Sequence, residues 1–321
     1  MKDTGVWKFI YEQIKENGRV ILVSVLETHG SSPGKAGFKM AVGKNVNIAG
    51  TIGGGEMELR IIKQCEKYLS LKKKICLFEK LYHNPNKEKK QSGLICAGNQ
   101  THLICSLDGK DLKTIENILE TFESNKIGVL KLSNNGLLFK PNFQNNQTVL
   151  FKYENDANWN YEENIGVLDR IYIIGGGHVG LALARQMELL DFYIVVFDER
   201  KNIATVKENV YADEIIISGY ENIGDYIEEG KSSYVAIVTH SHQTDKMVLK
   251  QLIGKKLKYA GLMGSSAKLK NVYDELMQEG IKPSALKKIH APIGITIGSE
   301  TVTEIAVSIA AEIIKIKNST R

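Results

Sequence analysis

Two hydrophobic patterns divide the chain. Up to about residue 150, amphipathic helical stretches are interleaved with short strand patterns, some of which pair as hairpins. From residue 168 onward, short and nearly continuous apolar runs, such as 171–174 and 193–198, are separated by helical stretches. Such runs are typical of strands buried on both faces of a parallel sheet. The patterns predict an α/β chain: an N-terminal α+β domain followed by a Rossmann-like domain with a doubly wound parallel sheet.

The N-terminal pattern predicts individual elements. Residues 1–18 read as an amphipathic helix, and residues 19–30 as a strand rich in β-branched and apolar side chains. Asn134-Asn135-Gly136 predicts a hairpin turn. A second helix follows the triple glycine at 53–55, and the side chains predicted to face inward from it are Met57, Ile61, Ile62, Cys65, Tyr68 and Leu69.

The domain boundary is predicted from composition. Between Asn134 and Asn164 the chain has nine asparagines and no sustained helical period. We therefore predict an N-terminal domain over residues 1–150, an Asn-rich linker over 151–167 and the Rossmann-like domain over 168–321. Both domains are of ordinary size.

Composition indicates a soluble globular protein, with 43% hydrophobic residues, 25% charged residues and a formal net charge of +5. The basic run Lys72-Lys73-Lys74 reads as a solvated face, so no nucleic acid is expected as a partner. No apolar stretch reaches the length of a membrane span, and the first helix lacks the features of a signal peptide. The expected location is cytoplasmic, with the four cysteines reduced.

A dinucleotide-type glycine fingerprint lies at the start of the second domain. Gly175, Gly177 and Gly180 stand in G-x-G-x-x-G register directly after a predicted strand, with His178 inside the turn. Asp198 ends the next strand, where it could bind ribose hydroxyls. The alternative is a Rossmann-like turn kept for packing, which binds no dinucleotide. A carboxylate at this position disfavours NADP over NAD, although the neighbouring Arg200 weakens that argument.

Histidines follow two of the predicted strands. His240, His242 and Asp245 lie at the carboxyl end of one strand, where doubly wound folds place ligands, and His290 lies in a turn beside another. The spacing is insufficient for a metal site, so ligand contact and loop structure remain the two interpretations. Strand-end positions could bring these histidines and His178 toward one crevice.

A second glycine-rich stretch spans residues 28–60. Its triple glycine, Gly53-Gly54-Gly55, precedes a helix, an arrangement that suits a phosphate bound by backbone N–H groups. Ordinary turns are the alternative. A dinucleotide fingerprint elsewhere in the chain does not explain this stretch.

Several segments in one order resemble the XdhC/CoxI family, the xanthine dehydrogenase accessory factors. The N-terminal segments are HGSSPGKAGFKM, AGTIGGGEMELR and SGLICAG, and the C-terminal ones include IIGGGHVGLALA, THSHQTDKMVL and HAPIGITIGSE. The resemblance covers nearly the whole chain apart from the Asn-rich stretch. It is specific, because two independent sets of motifs occur in the family's order.

The resemblance implies a maturation chaperone for the molybdenum cofactor (molybdopterin). Such a protein binds the cofactor, assists its sulfuration and inserts it into molybdenum hydroxylases of the xanthine dehydrogenase or CO dehydrogenase type. A cysteine desulfurase as sulfur donor and a homodimer are further expectations. An accessory protein is thus expected rather than a metabolic enzyme.

The resemblance also assigns candidate site residues. Cys96 occupies the family's cysteine-glycine turn and is the candidate catalytic residue, although Ala97 stands where the family usually has glycine. A buried structural thiol is the alternative. Ser31, Ser32 and Glu58 match cofactor-contacting signatures, and Glu58 could equally be a first-turn carboxylate favoured by the helix dipole. Lys39 could contact an anionic ligand or be a solvated surface charge.

Two other functions remain open. The first is an NAD(P)-dependent oxidoreductase acting on a small substrate, which would need Asp198 to bind the cofactor. The second is a Rossmann module that senses a ligand without catalysis and tolerates loss of Cys96. The accessory-factor hypothesis differs from both, because it predicts that ligand binding depends on the glycines of residues 28–60 and on Cys96.

Overall fold

The computed structural model describes residues 3–71, 74–82, 98–124, 126–166 and 169–319. Two units result, Met1–Val167 and Leu168–Arg321. The predicted α/β class is confirmed, with antiparallel sheets in the first unit and a parallel sheet in the second. Within the described residues, no helix is long and apolar enough to cross a membrane.

Among its described residues, the first unit has three α-helices and nine strands. The helices are α1 (Thr4–Asn17), α2 (Gly55–Ser70) and α3 (Leu112–Glu123). The strands are β1 (Arg19–His29), β2 (Lys39–Val42), β3 (Ile48–Gly50), β4 (Cys76–Tyr82), β5 (Asn99–Asp108), β6 (Ile127–Ser133), β7 (Gly136–Pro141), β8 (Val149–Asn155) and β9 (Asn158–Gly166). The predicted helices and the hairpin turn at Asn134-Asn135 are confirmed.

A five-stranded antiparallel sheet, ordered β3-β2-β1-β5-β4, forms the centre of this unit. Its middle strand β1 is buried on both faces, because successive side chains of a strand point in opposite directions. Ile21 and Val23 pack with the inward face of α2, including Met57 and Cys65. On the opposite face, the side chains that share a core with Leu22 come from α1, α3 and the second sheet.

The second sheet corrects the predicted linker. Strands β8 and β9 cover residues 149–166 and complete a four-stranded antiparallel sheet ordered β7-β6-β9-β8. Trp159 and Tyr161 of β9 are buried in the core of the first unit. Most of the asparagines lie in turns or are at least partly exposed, whereas Asn164 of β9 is buried and its side-chain amide donates to the Asn145 and Gln147 carbonyls. An Asn-rich composition therefore accompanies paired strands here and not a linker over 151–167.

Over residues 169–319, the second unit has five strands and seven helices. The strands are β10 (Arg170–Ile174), β11 (Tyr193–Asp198), β12 (Glu214–Ile217), β13 (Gly230–Ile237) and β14 (Leu257–Leu262). The helices are α4 (His178–Leu189), α5 (Ala204–Lys207), α6 (Ile223–Tyr226), α7 (His242–Leu252), α8 (Ser266–Gln278), α9 (Pro283–Leu286) and α10 (Val302–Asn318).

The strands form one parallel sheet in the order β12-β11-β10-β13-β14. Ile171 and Ile173 point to the face covered by α4 and α10. Phe197 packs against Tyr226 of α6, which in turn contacts α7. Helices therefore cover both faces. The direction in which successive parallel strands are added to the sheet reverses between β10 and β13. In such folds, ligands bind at this switch point.

The two edges of the parallel sheet differ. At the β14 edge, His290 forms a parallel bridge with Gly261, and the hydrogen bonds continue through Ile293 N–H to the Leu262 carbonyl, 3.0 Å. At the other edge, β12 is only four residues long, and its Ile215 and Ile217 are both exposed.

The cysteine prediction is wrong for one pair. The antiparallel register of β4 and β5 places Cys76 opposite Cys105, with the two Cα atoms 4.2 Å apart, and a disulfide joins them. Counting spacings could not reveal this pair, because the register of two strands brings it together. Cys65 is a free thiol in the core, as the helical pattern predicts.

Candidate functional site

Three loops of the first unit meet at one end of the central strands of the five-stranded sheet. The first follows β1 (residues 30–34), the second connects β3 to α2 (residues 51–54), and the third is Gly98 directly before β5. A Cβ on Gly34 would overlap the Ile52 carbonyl oxygen, and one on Gly98 would overlap the Ser31 carbonyl oxygen and lie 2.6 Å from that of His29. Backbone is therefore packed on backbone, and both glycine-rich motifs of residues 28–60 belong to a single cluster.

The triple glycine is needed for the backbone path. Gly53, Gly54 and Gly55 all have positive φ, of 130°, 74° and 71°, a run that L side chains rarely adopt. A Cβ on Gly53 would also lie 2.7 Å from the Gly34 nitrogen. The backbone path therefore requires these glycines, and α2 begins immediately after them. Their predicted role in binding a phosphate stays a prediction.

Glu58 fills the centre of this turn. Its Oε2 accepts hydrogen bonds from Ile52 N–H at 2.8 Å, Gly54 N–H at 3.0 Å and the Thr51 hydroxyl at 2.6 Å. The donor set is that of an oxyanion site, and the chain's own carboxylate occupies it. An external phosphate at these N–H groups would have to displace Glu58 or bind beyond it.

The remaining predicted residues of this cluster differ in exposure. Ser31 is exposed, whereas Ser32 is 8% exposed. Behind them, Gln100 is fully buried; its Nε2 donates to the Ile52 carbonyl, and its Oε1 lacks a partner among the described residues. Cys96 and Ala97 lie outside the described residues, so the sulfur role assigned by resemblance stays a prediction.

Both interpretations of Lys39 are wrong. Its side chain is fully buried, and its ammonium pairs with Asp3 at 2.7 Å and Glu163 at 2.6 Å and donates to the Gly37 carbonyl at 2.8 Å. Burial alone would lower the pKa of Lys39, but the two carboxylates outweigh it and raise the pKa above its usual value. Burial raises the pKa of Glu163, and the ion pair with Lys39 and the hydrogen bond from the Tyr161 hydroxyl partly offset that rise. Lys39 is a structural cation beneath the sheet.

The glycine fingerprint of the second unit has the predicted geometry. Gly175 has φ of 116°, and a Cβ there would lie 2.7 Å from the Val238 carbonyl oxygen, at the end of β13. A Cβ on Gly180 would overlap the Gly175 carbonyl oxygen, so this glycine permits the close approach of α4 to the turn. Gly177 caps α4, and the side chain of His178, its first residue, is exposed. The turn thus lies at the switch point.

Asp198 is tied into the turn itself. It is fully buried, and its Oδ2 accepts from Gly176 N–H at 2.7 Å and from the Arg200 Nη2 at 2.8 Å, while Oδ1 accepts from the Arg200 N–H and Nε. Burial would raise the pKa of Asp198, but the bonds from Arg200 and Gly176 outweigh it and lower the pKa. A Cβ on Gly176 would overlap Val206 of α5, and Thr205 donates to the Gly176 carbonyl. Ribose hydroxyls would therefore compete with bonds that Asp198 already makes.

The THSHQTD segment forms the loop between β13 and α7. Asp245 is buried, accepts from the Thr239 hydroxyl and pairs with Lys268 of α8. Burial raises the pKa of Asp245, and the Lys268 and Thr239 contacts partly offset this. His242 Nε2 lies 2.9 Å from Glu275 of α8, so both side chains fix the loop to that helix. The loop-structuring interpretation is supported for these two residues.

His240 and His290 do not share one crevice in the sheet. His240 is exposed and directly follows Thr239, which lies beside Gly175. His290 is bridged to Gly261 on the outer side of β14, three strand spacings or about 14 Å from β10. The switch point therefore brings together His240 and the glycine turn, and it leaves His290 apart.

His290 belongs to a separate cluster. Its Nδ1 lies 3.0 Å from Glu312 of α10, and the same carboxylate accepts from the Tyr259 hydroxyl at 2.6 Å and from Gly294 N–H at 2.8 Å. The rings of His290 and Tyr259 are stacked with centroids 4.8 Å apart. The cluster fastens the segment after β14 to α10. Among the described residues, no group of three or more His, Cys, Asp or Glu side chains is arranged to hold a metal ion.

Sequence reasoning missed the partners that decide these roles: Asp3, Glu163, Lys268, Glu275 and Glu312. Each lies at least 22 positions from its partner. Charge patterning within one helix could not have found them. For Glu163 the sequence did contain a signal, because it alternates with Trp159, Tyr161 and Ile165 and so falls on the same face of a strand.

Two family models match the chain. The model described as the XdhC Rossmann domain matches residues 171–313, and the model described as the XdhC and CoxI family matches residues 13–77. The two matches lie in different units and contain, respectively, the glycine fingerprint and the triple glycine.

Similar proteins are known in bacteria. The chain is 31% identical over 157 residues to the uncharacterized protein YqeB of Escherichia coli, a match covering 48% of this chain and 28% of that protein. It is 29% identical over 146 residues to a protein of Bacillus subtilis named as a probable xanthine dehydrogenase subunit, covering 46% of this chain and 42% of that one. The matches thus span less than half the length of either relative.

A solved structure shares the fold over its whole length. A crystal structure described as a xanthine dehydrogenase from Bacillus halodurans covers 100% of this chain and 97% of its own, with a TM-score of 0.76 and 20% identity. The similarity extends the shared architecture to the regions between the two family matches.

Proposed function

The chain belongs to the XdhC and CoxI family, and on this premise we propose that it is an accessory factor for enzymes of the xanthine dehydrogenase type. We propose further that it binds the molybdenum cofactor, assists its sulfuration and inserts it into the hydroxylase. The name of the B. subtilis relative, which refers to xanthine dehydrogenase, supports the association with that enzyme.

The observation that carries the proposal is the convergence of the two glycine-rich motifs and Gly98 at one end of the central strands. These loops lie in the first unit, and a dinucleotide-binding fold does not require them. Cys96 precedes Gly98 by two residues in the sequence, so we propose that the sulfur chemistry belongs to this three-loop cluster. A thiolate is the side chain suited to transferring sulfur.

The fit of the loops to an anionic cofactor can be judged from Glu58. Three donors converge on its Oε2 at 2.6–3.0 Å, so the turn holds a carboxylate oxygen, which supports a place for an anion here. When bound, the molybdenum cofactor supplies a phosphate and a metal dithiolene. In the proposed complex, backbone N–H groups of the turn and the exposed Ser31 hydroxyl orient the phosphate, and Glu58 either yields its position or holds the turn open from below.

The fingerprint at Gly175 gives less support to an NAD(P)-dependent oxidoreductase. Both carboxylate oxygens of Asp198 are engaged by Arg200 and Gly176 within the turn. We propose that this turn serves mainly to pack α4 and that the accessory function does not require dinucleotide turnover.

The test is purification without oxygen from a molybdenum-replete host, followed by oxidation and pterin fluorescence. We expect about one pterin per chain, lost in a Gly98→Ala variant and kept in a Gly109→Ala variant, because Gly109 has open space around it. Adding the loaded protein to hydroxylase that lacks the sulfido ligand should restore activity, and Cys96→Ser should reduce the bound pterin and abolish the restoration. NAD in place of pterin would refute the proposal.

A further inference from the structure

A cavity of about 470 Å³ opens in the first unit, between β4, β5 and the β6–β7 turn. Both cysteines of the disulfide, Cys76 and Cys105, line it. Its volume falls in the range of small-molecule sites. It is separate from the three-loop cluster, which lies at the other end of β5.

The two sulfurs of the pair are not equivalent. Cys76 is exposed, whereas Cys105 is 5% exposed. The buried Cys65 provides a contrast, because burial raises the pKa of its thiol to about 12 and keeps it protonated. An external thiol can therefore reach one sulfur of the pair directly, while the other sulfur can act as the leaving group.

The walls of the cavity indicate the class of ligand. Lys74 is exposed at the rim, beside the Asn134-Asn135 turn, and supplies an ammonium group. Phe78 and Trp159 form an edge-to-face pair with ring centroids 5.0 Å apart and supply apolar wall. Asp156 also lines the cavity and accepts from the Tyr153 hydroxyl at 2.7 Å. A cation, a carboxylate, amide groups and apolar wall around a sulfur suit a small peptide-like thiol that carries both carboxylate and ammonium groups.

We propose that this cavity is a thiol–disulfide exchange site at which Cys76 reacts with a small anionic thiol. The incoming thiolate attacks Cys76 Sγ, the new sulfur–sulfur bond forms as the Cys76–Cys105 bond breaks, and Cys105 leaves as a thiolate that takes a proton from water. A second thiolate attacks the small-molecule sulfur of the mixed disulfide and releases Cys76. The balance is one protein disulfide plus two thiols giving two protein thiols and one small-molecule disulfide.

The site does not rest on the accessory function proposed above, because it uses neither Cys96 nor the glycine loops. Disulfides of this type are transient and regulatory in reducing compartments. The reaction would open and close a covalent bond between two adjacent strands of the central sheet.

The experiment uses the full chain with Cys96→Ser, so that three of its four cysteines remain. Glutathione is the probe, and intact-mass and peptide mass spectrometry are the readouts. In the air-oxidised protein, Cys76 and Cys105 should resist alkylation until reduced glutathione opens the bond. Cys65 should stay unlabelled in the folded protein throughout.

Two further variants test which sulfur reacts. With oxidised glutathione, the Cys105→Ser variant should form an adduct at Cys76 at least about tenfold faster than the Cys76→Ser variant forms one at Cys105. Lys74→Gln should slow the reaction with glutathione about two- to fivefold and leave that with neutral hydroxyethyl disulfide unchanged. Tryptophan fluorescence checks the fold, since both tryptophans lie in this unit.

Equal adduct rates at the two cysteines would overturn the proposal. So would free alkylation of both in the air-oxidised protein. If a cysteine variant fails to fold, opening of the bond by glutathione in the Cys96→Ser protein alone decides the question.

Discussion

Replacing Lys39 by methionine should destabilise the first unit strongly. Methionine keeps most of the side-chain volume but removes the ammonium that lies 2.6 Å from Glu163 and 2.7 Å from Asp3. Glu163 is 6% exposed, so its carboxylate would remain buried without a cation. Breaking a buried pair in this way costs about 3–5 kcal/mol. Asp3 contributes little to this loss, because it is partly exposed and can be hydrated.

The loss should depend on pH. The pKa of Glu163 is already raised by burial, and removing Lys39 takes away the group that lowers it most. A carboxyl group whose folded-state pKa lies above its unfolded value stabilises the fold at low pH, and this contribution is lost as pH rises through the folded-state pKa. The variant should therefore be less destabilised near about pH 5 than near about pH 8.

The assay is urea unfolding followed by tryptophan fluorescence. The chain's two tryptophans, Trp7 and Trp159, are both buried in the first unit, so the signal reports that unit alone. The matched control is Lys113→Met, which removes an exposed pair with Glu116 at 3.5 Å and should cost less than about 0.5 kcal/mol. Lys39→Met with Glu163→Gln should recover at least about 2 kcal/mol of the loss. A cost below about 1 kcal/mol with no pH dependence would refute the reasoning.

Three further predictions follow from the glycine turns. Gly34→Ala should destabilise the first unit by about 2 kcal/mol, because its Cβ would overlap the Ile52 carbonyl oxygen. The control Gly109→Ala, which has open space around it, should change stability by less than about 0.5 kcal/mol. Equal effects of the two variants in urea unfolding would contradict the close backbone packing. Glu58→Gln should lower the free energy of unfolding by about 1–2 kcal/mol, because a neutral amide replaces the carboxylate that accepts three hydrogen bonds. Glu56→Gln in the same helical turn is the control and should have almost no effect in the same urea assay. Asp198→Asn should speed amide exchange at Gly176 about tenfold at neutral pH. The pKa of Asp198 is lowered, so its stabilisation is present above the unfolded pKa and is lost as pH falls through the folded one; a difference that grew as the pH was lowered would contradict this sign.

The sequence predicted the backbone better than the side-chain partners. Burial along a single helix or strand is directly visible in the sequence as hydrophobic periodicity. Examples are the helical period around Met57 and Ile61 and the apolar runs from residue 171. The glycine clusters were equally informative, because positive φ and close approach exclude other residues at Gly53 and Gly34.

The roles of the charged residues depended on distant partners. Lys39 was expected at the surface or at a ligand, but Glu163 lies 124 residues later in the chain. Asp198 matched the position of a ribose-binding carboxylate, and only the structure shows Arg200 folding back onto it. The polar stretch 151–166 was expected to be a linker, since composition reports exposure and does not report whether exposed backbone pairs with a neighbouring strand.

The two edges of the parallel sheet have different consequences for self-association in the second unit. The segment at His290 bonds to Ala260 and Leu262 at the carboxyl end of β14, so it blocks that part of the edge against a foreign strand. The β12 side keeps an open row of backbone groups with two exposed isoleucines, but over only four residues. Such a short template holds an incoming strand by few bonds, and the glutamate at its start, Glu214, repels a second copy of itself. Lengthening β12 or neutralising Glu214 would therefore make it easier for this edge to pair with a second copy.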